Sequence, residues 1–390
     1  MRRIYFDHNA TTPVHPDVLE AMLPFYKEKF GNPSSIHGFG QEARSAVEAA
    51  RGNVAAILGC DKGEIIFTSG GTEADNLALV GAARALRKKG EHIAISSIEH
   101  HAILNTATAL QKEGFRIAAI PVDKSGIVDP EDVKKALEKD TIFVSIIHGN
   151  NEVGTIQPIE QIGKILNERQ VLFHTDAVQT VGKMRTNVRE LGVQLLSLSG
   201  HKINGPKGIG ALFMKNGVRI EATMRGGHHE KGRRAGTENV PGIVGLGKAC
   251  EIAMGEGEAE QKTVRELRDR LEKGILERID GVTLNGHPAK RLAGTTNLSF
   301  GTVEGESMIL SLDMEGIGVS SGSACTSGSL EPSHVLVAMG VPPERAQSSL
   351  RFSLGRGNTK EEVDFLLEVF PKIVERLKAM SPLANRAKVK

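Results

Sequence analysis

No stretch of this 390-residue chain approaches the roughly 18 apolar residues that a membrane-spanning helix needs, so no membrane segment is expected. The opening Met-Arg-Arg-Ile-Tyr-Phe-Asp-His lacks the apolar core of a signal peptide, which makes a cytoplasmic location the expectation. Charge of one sign is missing too. Lys and Arg number 49 against 47 Asp and Glu, and a formal net charge of +2 implies no polyanion surface and no direct nucleic-acid contact. The 3 cysteines, Cys60, Cys250 and Cys325, are far apart and form no CxxC pair, so neither a disulfide framework nor a cysteine zinc site is suggested. No internal repeat and no low-complexity tail is found.

What remains is an ordinary globular composition, 39% hydrophobic and 25% charged, in a chain long enough for two or three domains. Between residues 64 and 213 apolar runs of strand length alternate with helical periodicity. The runs 92–97, 117–122, 141–147 and 171–175 precede helices expected at 101–113, 130–139 and 158–169, with Asp176 closing the last run. Helices are also expected at 16–30, 41–58 and 77–89. Continuously apolar strands alternating with helices predict an α/β fold, with a mostly parallel sheet covered on both faces. Ligands of such sheets lie off the carboxyl ends of the strands. Thr72, His100, Asn151, Asp176, Gln179, His201 and Lys202 all fall at strand ends, which argues for one shared site.

The second part differs. A helix from residue 240 to about 276 carries a charged run and is expected to bridge two domains. Strands near 282–284, 295–300 and 347–353, with helices at 305–315, 332–339 and 360–380, then predict a smaller α+β module. In the glycine-rich loop 226–237, His228, His229 and Glu230 have the wrong spacing for a metal site.

The centre of the chain is Ser199-Gly-His-Lys202, read as an exposed tip between apolar runs 193–198 and 209–213. A lysine at a strand end, flanked by small residues, can act as a nucleophile or form a Schiff base once desolvated; the alternative is an ordinary surface lysine. In Thr68-Ser-Gly-Gly-Thr-Glu-Ala-Asp-Asn76, the N–H groups of Gly70, Gly71 and Thr72 at a helix start suit a phosphate. The same pattern also fits a plain strand-to-helix turn. Because it matches no dinucleotide or P-loop fingerprint, neither ligand is indicated. Asp176, ending an apolar strand, needs a cation, and a protonated pyridine nitrogen is one. Together, Lys202, Asp176 and Gly71/Thr72 make a complete holder for pyridoxal phosphate, with His100 placed to stack on its ring and move protons; His101 is beside it, and only the order within Ile98-Glu-His-His-Ala102 favours the first. Cys325 lies among Ser, Gly, Ala and Thr in a segment of mobile-loop composition, 319–333, whereas Cys60 and Cys250 sit among apolar neighbours. Arg351, within a strand, is either structural or a fork for a substrate carboxylate.

Asp7-His-Asn-Ala-Thr-Thr-Pro13, Thr68-Ser-Gly-Gly-Thr-Glu-Ala-Asp-Asn76, Asn150-Asn-Glu-Val-Gly154, His174-Thr-Asp-Ala-Val-Gln179, Ser199-Gly-His-Lys202, Arg234-Ala-Gly-Thr237 and Ser321-Gly-Ser-Ala-Cys-Thr-Ser327 together resemble the NifS/IscS-type cysteine desulfurases, in order, from residue 4 to about 382. The resemblance implies a homodimer of the fold type I pyridoxal-phosphate transferases. Its large domain would span 15–255, and its small domain 1–14 with 256–390. It also implies conversion of L-cysteine to L-alanine, with sulfane sulfur passing through a Cys325 persulfide to an iron–sulfur scaffold protein, a tRNA-thiolation path or another acceptor. By the same motifs Lys202 would carry the cofactor and remove the α-proton, and His100 would be the acid/base. Asp176 would pair with the ring nitrogen and Gln179 with the ring oxygen. Gly71, Thr72, Ser199 and His201 would hold the phosphate, with Thr237 supplied by the other subunit. Asn151, on the cofactor side as well, and Arg351 would hold the substrate carboxylate. No metal is expected in the active site, although Cys325 is a candidate transient cluster ligand. The tail 381–390 is shorter and more basic than the one many relatives use to grip the scaffold. Alternatives are selenocysteine lyase, another pyridoxal-phosphate transferase such as an aminotransferase, and a non-catalytic sulfur-relay subunit. The last would be expected to have lost Lys202 or Cys325, and both are present.

Overall fold

The computed structural model describes residues 3–301, 303–321 and 331–380. Twelve strands are present among them: β1 (Ile4–Tyr5), β2 (Ile65–Thr68), β3 (His92–Ser96), β4 (Arg116–Ile120), β5 (Thr141–Ser145), β6 (Leu172–Asp176), β7 (Leu195–Ser199), β8 (Gly210–Met214), β9 (Thr283–Asn285), β10 (Thr295–Ser299), β11 (Ile317–Gly318) and β12 (Ser349–Ser353). Seven form the central sheet in the order β2-β8-β7-β6-β5-β3-β4. Strands β4, β3, β5, β6 and β7 pair in parallel, and β8 pairs antiparallel with both β7 and β2. The order reverses between β3 and β5, so the chain leaves β3 toward one edge and returns on the other side. That switch point opens a crevice at the carboxyl ends of the strands.

Alternation along each strand builds the two cores. Phe67, Ala94, Val144, Leu196, Leu198 and Phe213 face one layer of helices, while Ile66, Ile95, Phe143, Leu195 and Leu212 face the other. In the helix Gly38–Leu58, Ala43, Val47, Ala50 and Val54 form an apolar stripe at helical spacing. It packs on the helix Val240–Arg278. The two approach closely because Gly247 has no side chain: a Cβ there would lie 2.6 Å from that of Ala50. At 39 residues the helix Val240–Arg278 is about 58 Å long. Its first turns, with Ile243, Leu246 and Cys250, belong to the core beneath the central sheet. Its last turns, with Val264, Leu271 and Ile275, belong to a separate core.

That second core lies between the antiparallel sheet β12-β10-β9 and the helices Gly305–Met314 and Lys360–Met380. Phe300 and Phe352 meet Phe370 edge-on at 5.2 and 5.8 Å. Phe6 is buried in the same core, and β1 pairs with β11, so the amino-terminal strand packs with the last third of the chain. The helix expected at 16–30 is two short ones, Pro16–Met22 and Pro24–Lys27, because Pro24 opens a new helix instead of continuing the first. The helix expected from residue 77 begins at Gly71. Among the described residues, no helix is long and apolar enough to cross a membrane.

Candidate active site

A cavity of about 330 Å³ opens at the switch point, and all seven strand-end residues singled out above line it: Thr72, His100, Asn151, Asp176, Gln179, His201 and Lys202. Gly71, Ser199 and Arg351 line it as well.

Lys202 ends a single 3-10 turn, Gly200–Lys202, directly after β7. The tip is not exposed as expected, since Ser199 and Gly200 are buried. Residues 9–12 close over it. Thr12 donates through N and Oγ1 to the His201 carbonyl at 2.9 and 3.0 Å and accepts from Asn204 N at 2.9 Å. Lys202 Nζ donates to the carbonyls of Asn9 (2.6 Å) and Ala10 (2.7 Å). Asn9 is thus a hub that strand-end reasoning missed, for its carbonyl also accepts from Gln179 Nε2 at 2.9 Å.

Asp176 closes β6 and accepts from Val178 N at 2.9 Å. Burial pushes its carboxyl up to about 6, against the downward pull of Val178 N–H and the Lys202 charge. Behind it lie two more buried carboxyls, Asp75 and Glu99, and the buried His174. Burial, and then the Asp176 charge, raise Asp75 well above the ordinary carboxylate range. Burial carries Glu99 to about 8 and drops His174 to about 3, so the imidazole is neutral. Its ring nitrogens meet the hydroxyls of Ser145 (2.9 Å) and Ser197 (3.0 Å).

His100 caps the helix His101–Lys112, its Nδ1 accepting from Ala102 N at 3.1 Å. Burial, the Lys202 charge and His101 lower it to about 4. The ring is therefore neutral at physiological pH, and the cap places its proton on Nε2. Arg351 crosses from β12, fully buried, and donates to Asp7 Oδ1 (2.7 Å) and to the Asn151 carbonyl (3.0 Å). Its Nε is buried with no hydrogen-bond partner. The neighbouring Asn150 builds the turn: its Oδ1 accepts from Glu152 N and Val153 N at 2.9 and 3.0 Å.

Gly71 and Thr72 are the first residues of the helix Gly71–Leu86 and border an adjoining open cleft of about 440 Å³ with Ser199, His201 and Lys207. A Cβ on Gly71 would meet Val178 Cγ2 at 2.7 Å, so only glycine lets the helix start come this close. His201 Nδ1 is 3.1 Å from Thr11 Oγ1; burial, then Lys202, Lys207 and Lys183, lower it to about 4.

Thr237, expected to serve the cavity of the other subunit, is exposed and lines neither space in this one. Cys325 lies outside the described residues. The chain on either side of it is fastened to the cavity wall: Ser320 exchanges backbone hydrogen bonds with Arg351 at 2.7 and 3.3 Å, and His334 lines the cavity. In the basic loop, Glu230 is occupied by the Arg51 guanidinium, at 2.8 and 2.9 Å.

Residues 4–366 match the model of the aminotransferase class-V family. The chain is 53% identical over 388 residues to a protein of Dictyoglomus turgidum named cysteine desulfurase IscS, covering all of this chain and 98% of that one. It is 54% identical to the like-named protein of Methanosarcina thermophila, covering 99% and 95%. A solved NifS-like protein superposes with a TM-score of 0.91 at 41% identity, covering 96% of this chain and 100% of the other. An α/β fold with this sheet and cavity defines a fold type I pyridoxal-phosphate enzyme, and the chain belongs to the class-V aminotransferase family. Within that family it is a pyridoxal-phosphate-dependent cysteine desulfurase of the NifS/IscS type.

The residues present fit that cofactor. Asp176 is a buried carboxylate poised for a cation, Gly71 leaves room for a phosphate at a helix start, and Lys202 reaches the same cavity. When bound, pyridoxal 5′-phosphate supplies an electron sink for the electron pair released at the substrate Cα.

Proposed function

We propose that the chain converts L-cysteine to L-alanine with the residues of this one cavity in the following roles. Lys202 carries the cofactor and moves the proton at the substrate Cα. Asp176 pairs with the ring nitrogen, Gln179 bonds the ring oxygen, and Gly71, Thr72, Ser199 and His201 hold the phosphate. His100, neutral with its proton on Nε2, stacks on the ring and serves as acid and base. Asn151 and Arg351 hold the substrate carboxylate, and Asp7 fixes the angle of the Arg351 fork. The Cys325 thiolate attacks the substrate sulfur. The Cβ–S bond breaks, its electron pair stays with carbon, and carbon takes up a proton to give alanine. The new S–S bond leaves Cys325 as a persulfide, so cysteine plus thiol become alanine plus persulfide with no external oxidant.

The observation that carries this reading is the convergence of Lys202, Asp176, His100 and Arg351 on one cavity. Support for the substrate comes from a solved relative, 35% identical with a TM-score of 0.82, whose structure is described as SspA in complex with cysteine. The exposure of Thr237 supports its service in the cavity of a second subunit, hence a homodimer. We place the division between the two domains at 15–255 and at 1–14 with 256–390, following the two cores. The IscS name of the relatives favours an iron–sulfur scaffold protein as sulfur acceptor, and a cytoplasmic location is part of the proposal.

Mass spectrometry of protein treated with L-cysteine tests the roles. Native protein gains one sulfur on Cys325. Cys325→Ser keeps the cofactor's visible band and forms no persulfide, whereas Lys202→Ala loses turnover by more than about a thousandfold. Persulfide on another cysteine, or turnover by Lys202→Ala, contradicts the assignment.

A further inference from the structure

Lys183 is a half-buried lysine to which none of these roles falls. It lies on the turn after β6, and with His8, Asn9 and Lys202 it lines a small cavity of about 40 Å³ behind the main one. Lys183 Nζ donates to Gln179 Oε1 at 3.0 Å, and Gln179 Nε2 donates to the Asn9 carbonyl at 2.9 Å. Lys202 Nζ donates to that same carbonyl at 2.6 Å. One short chain of hydrogen bonds thus joins the two lysines. Because Gln179 Oε1 accepts from Lys183, the amide is held with its Nε2 donor toward Asn9 and its neighbour Lys202.

We propose that Lys183 is a positioning residue: it fixes the Gln179 amide, and as a cation beside Lys202 it biases the Lys202 amine toward the uncharged form that takes up the cofactor.

The charges around Lys183 set when it is a cation. Burial brings its ammonium down to about 7, and the Lys202 and Arg351 charges press the same way, so about half of it is charged at pH 7 and the charge is gone by pH 9.5. The carboxylate that favours its charge is Glu260, which is itself bound to Arg356 at 2.6 Å. Repulsion between two lysines is mutual, so the effect of Lys202 on Lys183 is returned. Around Lys202, the Asp176 carboxylate opposes the bias, while His100 and His201 are held neutral. His8 and His201 also feel the Lys183 charge.

The inference rests on Lys202 as the cofactor-bearing lysine, and the test separates the two. Borohydride fixation of native holoenzyme, followed by peptide mass spectrometry, identifies the lysine that bears the cofactor. Fixation at any residue other than Lys202 overturns that assignment and this inference with it. With Lys202 confirmed, stripped full-length protein is reloaded with pyridoxal 5′-phosphate at pH 7 and pH 9.5. Lys183→Met and Lys183→Gln are expected to load about tenfold more slowly than native protein at pH 7 and equally fast at pH 9.5, a change of about one pKa unit at Lys202. The visible band of each holoenzyme should titrate about one pH unit higher than in native protein. Equal loading at both values of pH overturns the inference. An equal slowing at both values means a merely structural role and overturns it as well. Either variant suffices, so one that fails to fold by circular dichroism leaves the other to decide.

Discussion

Asp176→Asn separates the energetic cost of a buried charge from its use. Burial raises the Asp176 carboxyl to about 6 against an ordinary 3.8. A difference of about 2, at 1.36 kcal/mol per pKa unit, is about 3 kcal/mol. The sign follows from linkage. A carboxyl whose pKa is raised on folding adds stability below about 4 and loses it as pH rises through about 6. Stripped of cofactor, the native protein should therefore be weakened at pH 8 by the ionised carboxylate. Asparagine removes the charge, and its amide oxygen can still accept from Val178 N. It also relieves Asp75, on which the Asp176 charge acts directly. Thermal unfolding of cofactor-free protein should find Asp176→Asn about 2–3 kcal/mol more stable than native protein at pH 8, with no advantage near pH 4. Loaded with cofactor the order should reverse, since the proposed role gives the native carboxylate the pyridinium as its partner. A variant that is less stable at pH 8 without cofactor would refute the reasoning, for Asp176 would then already be compensated by the protein.

Two further substitutions probe other parts. Gly71→Ala puts a methyl group 2.7 Å from Val178 Cγ2 and should weaken cofactor binding about tenfold by equilibrium dialysis while leaving the fold intact, since the clash is at the helix start rather than in a core. Glu230→Gln takes the charge from a buried partner that holds the Arg51 fork and also accepts from Phe67 N at 3.2 Å, so a loss of about 3 kcal/mol in stability is expected by denaturation, with cofactor affinity unchanged.

The apolar periodicity made the central sheet and its helices legible, because burial on two faces leaves continuous hydrophobic strands. The places of Asp176 and Lys202 in the cavity followed from strand ends, whereas strand ends did not separate His100 from His101, and both line it. Direction was not legible: β8 is as apolar as its neighbours, and nothing in Gly210–Met214 announces that it runs antiparallel. Cover by distant segments was illegible too. Residues 9–12 bury the Lys202 turn, and Asp7 meets Arg351 across 344 positions of sequence; both depend on the fold of the second core, not on any local pattern. Asp75, Glu99 and His174 read locally as polar residues in ordinary elements, and only the packing of β5, β6 and β7 against the helix Gly71–Leu86 brings them together beside Asp176. Gly70 and Gly71 looked like a turn, but Gly71 is already helical.

The most direct test of the account is turnover of L-cysteine by the purified, cofactor-loaded protein with a reductant present. Alanine and sulfide should appear in a one-to-one ratio, and both should vanish with Cys325→Ser. Release of pyruvate and ammonia in place of alanine, or unchanged sulfide release by the serine variant, would contradict a desulfurase that works through Cys325.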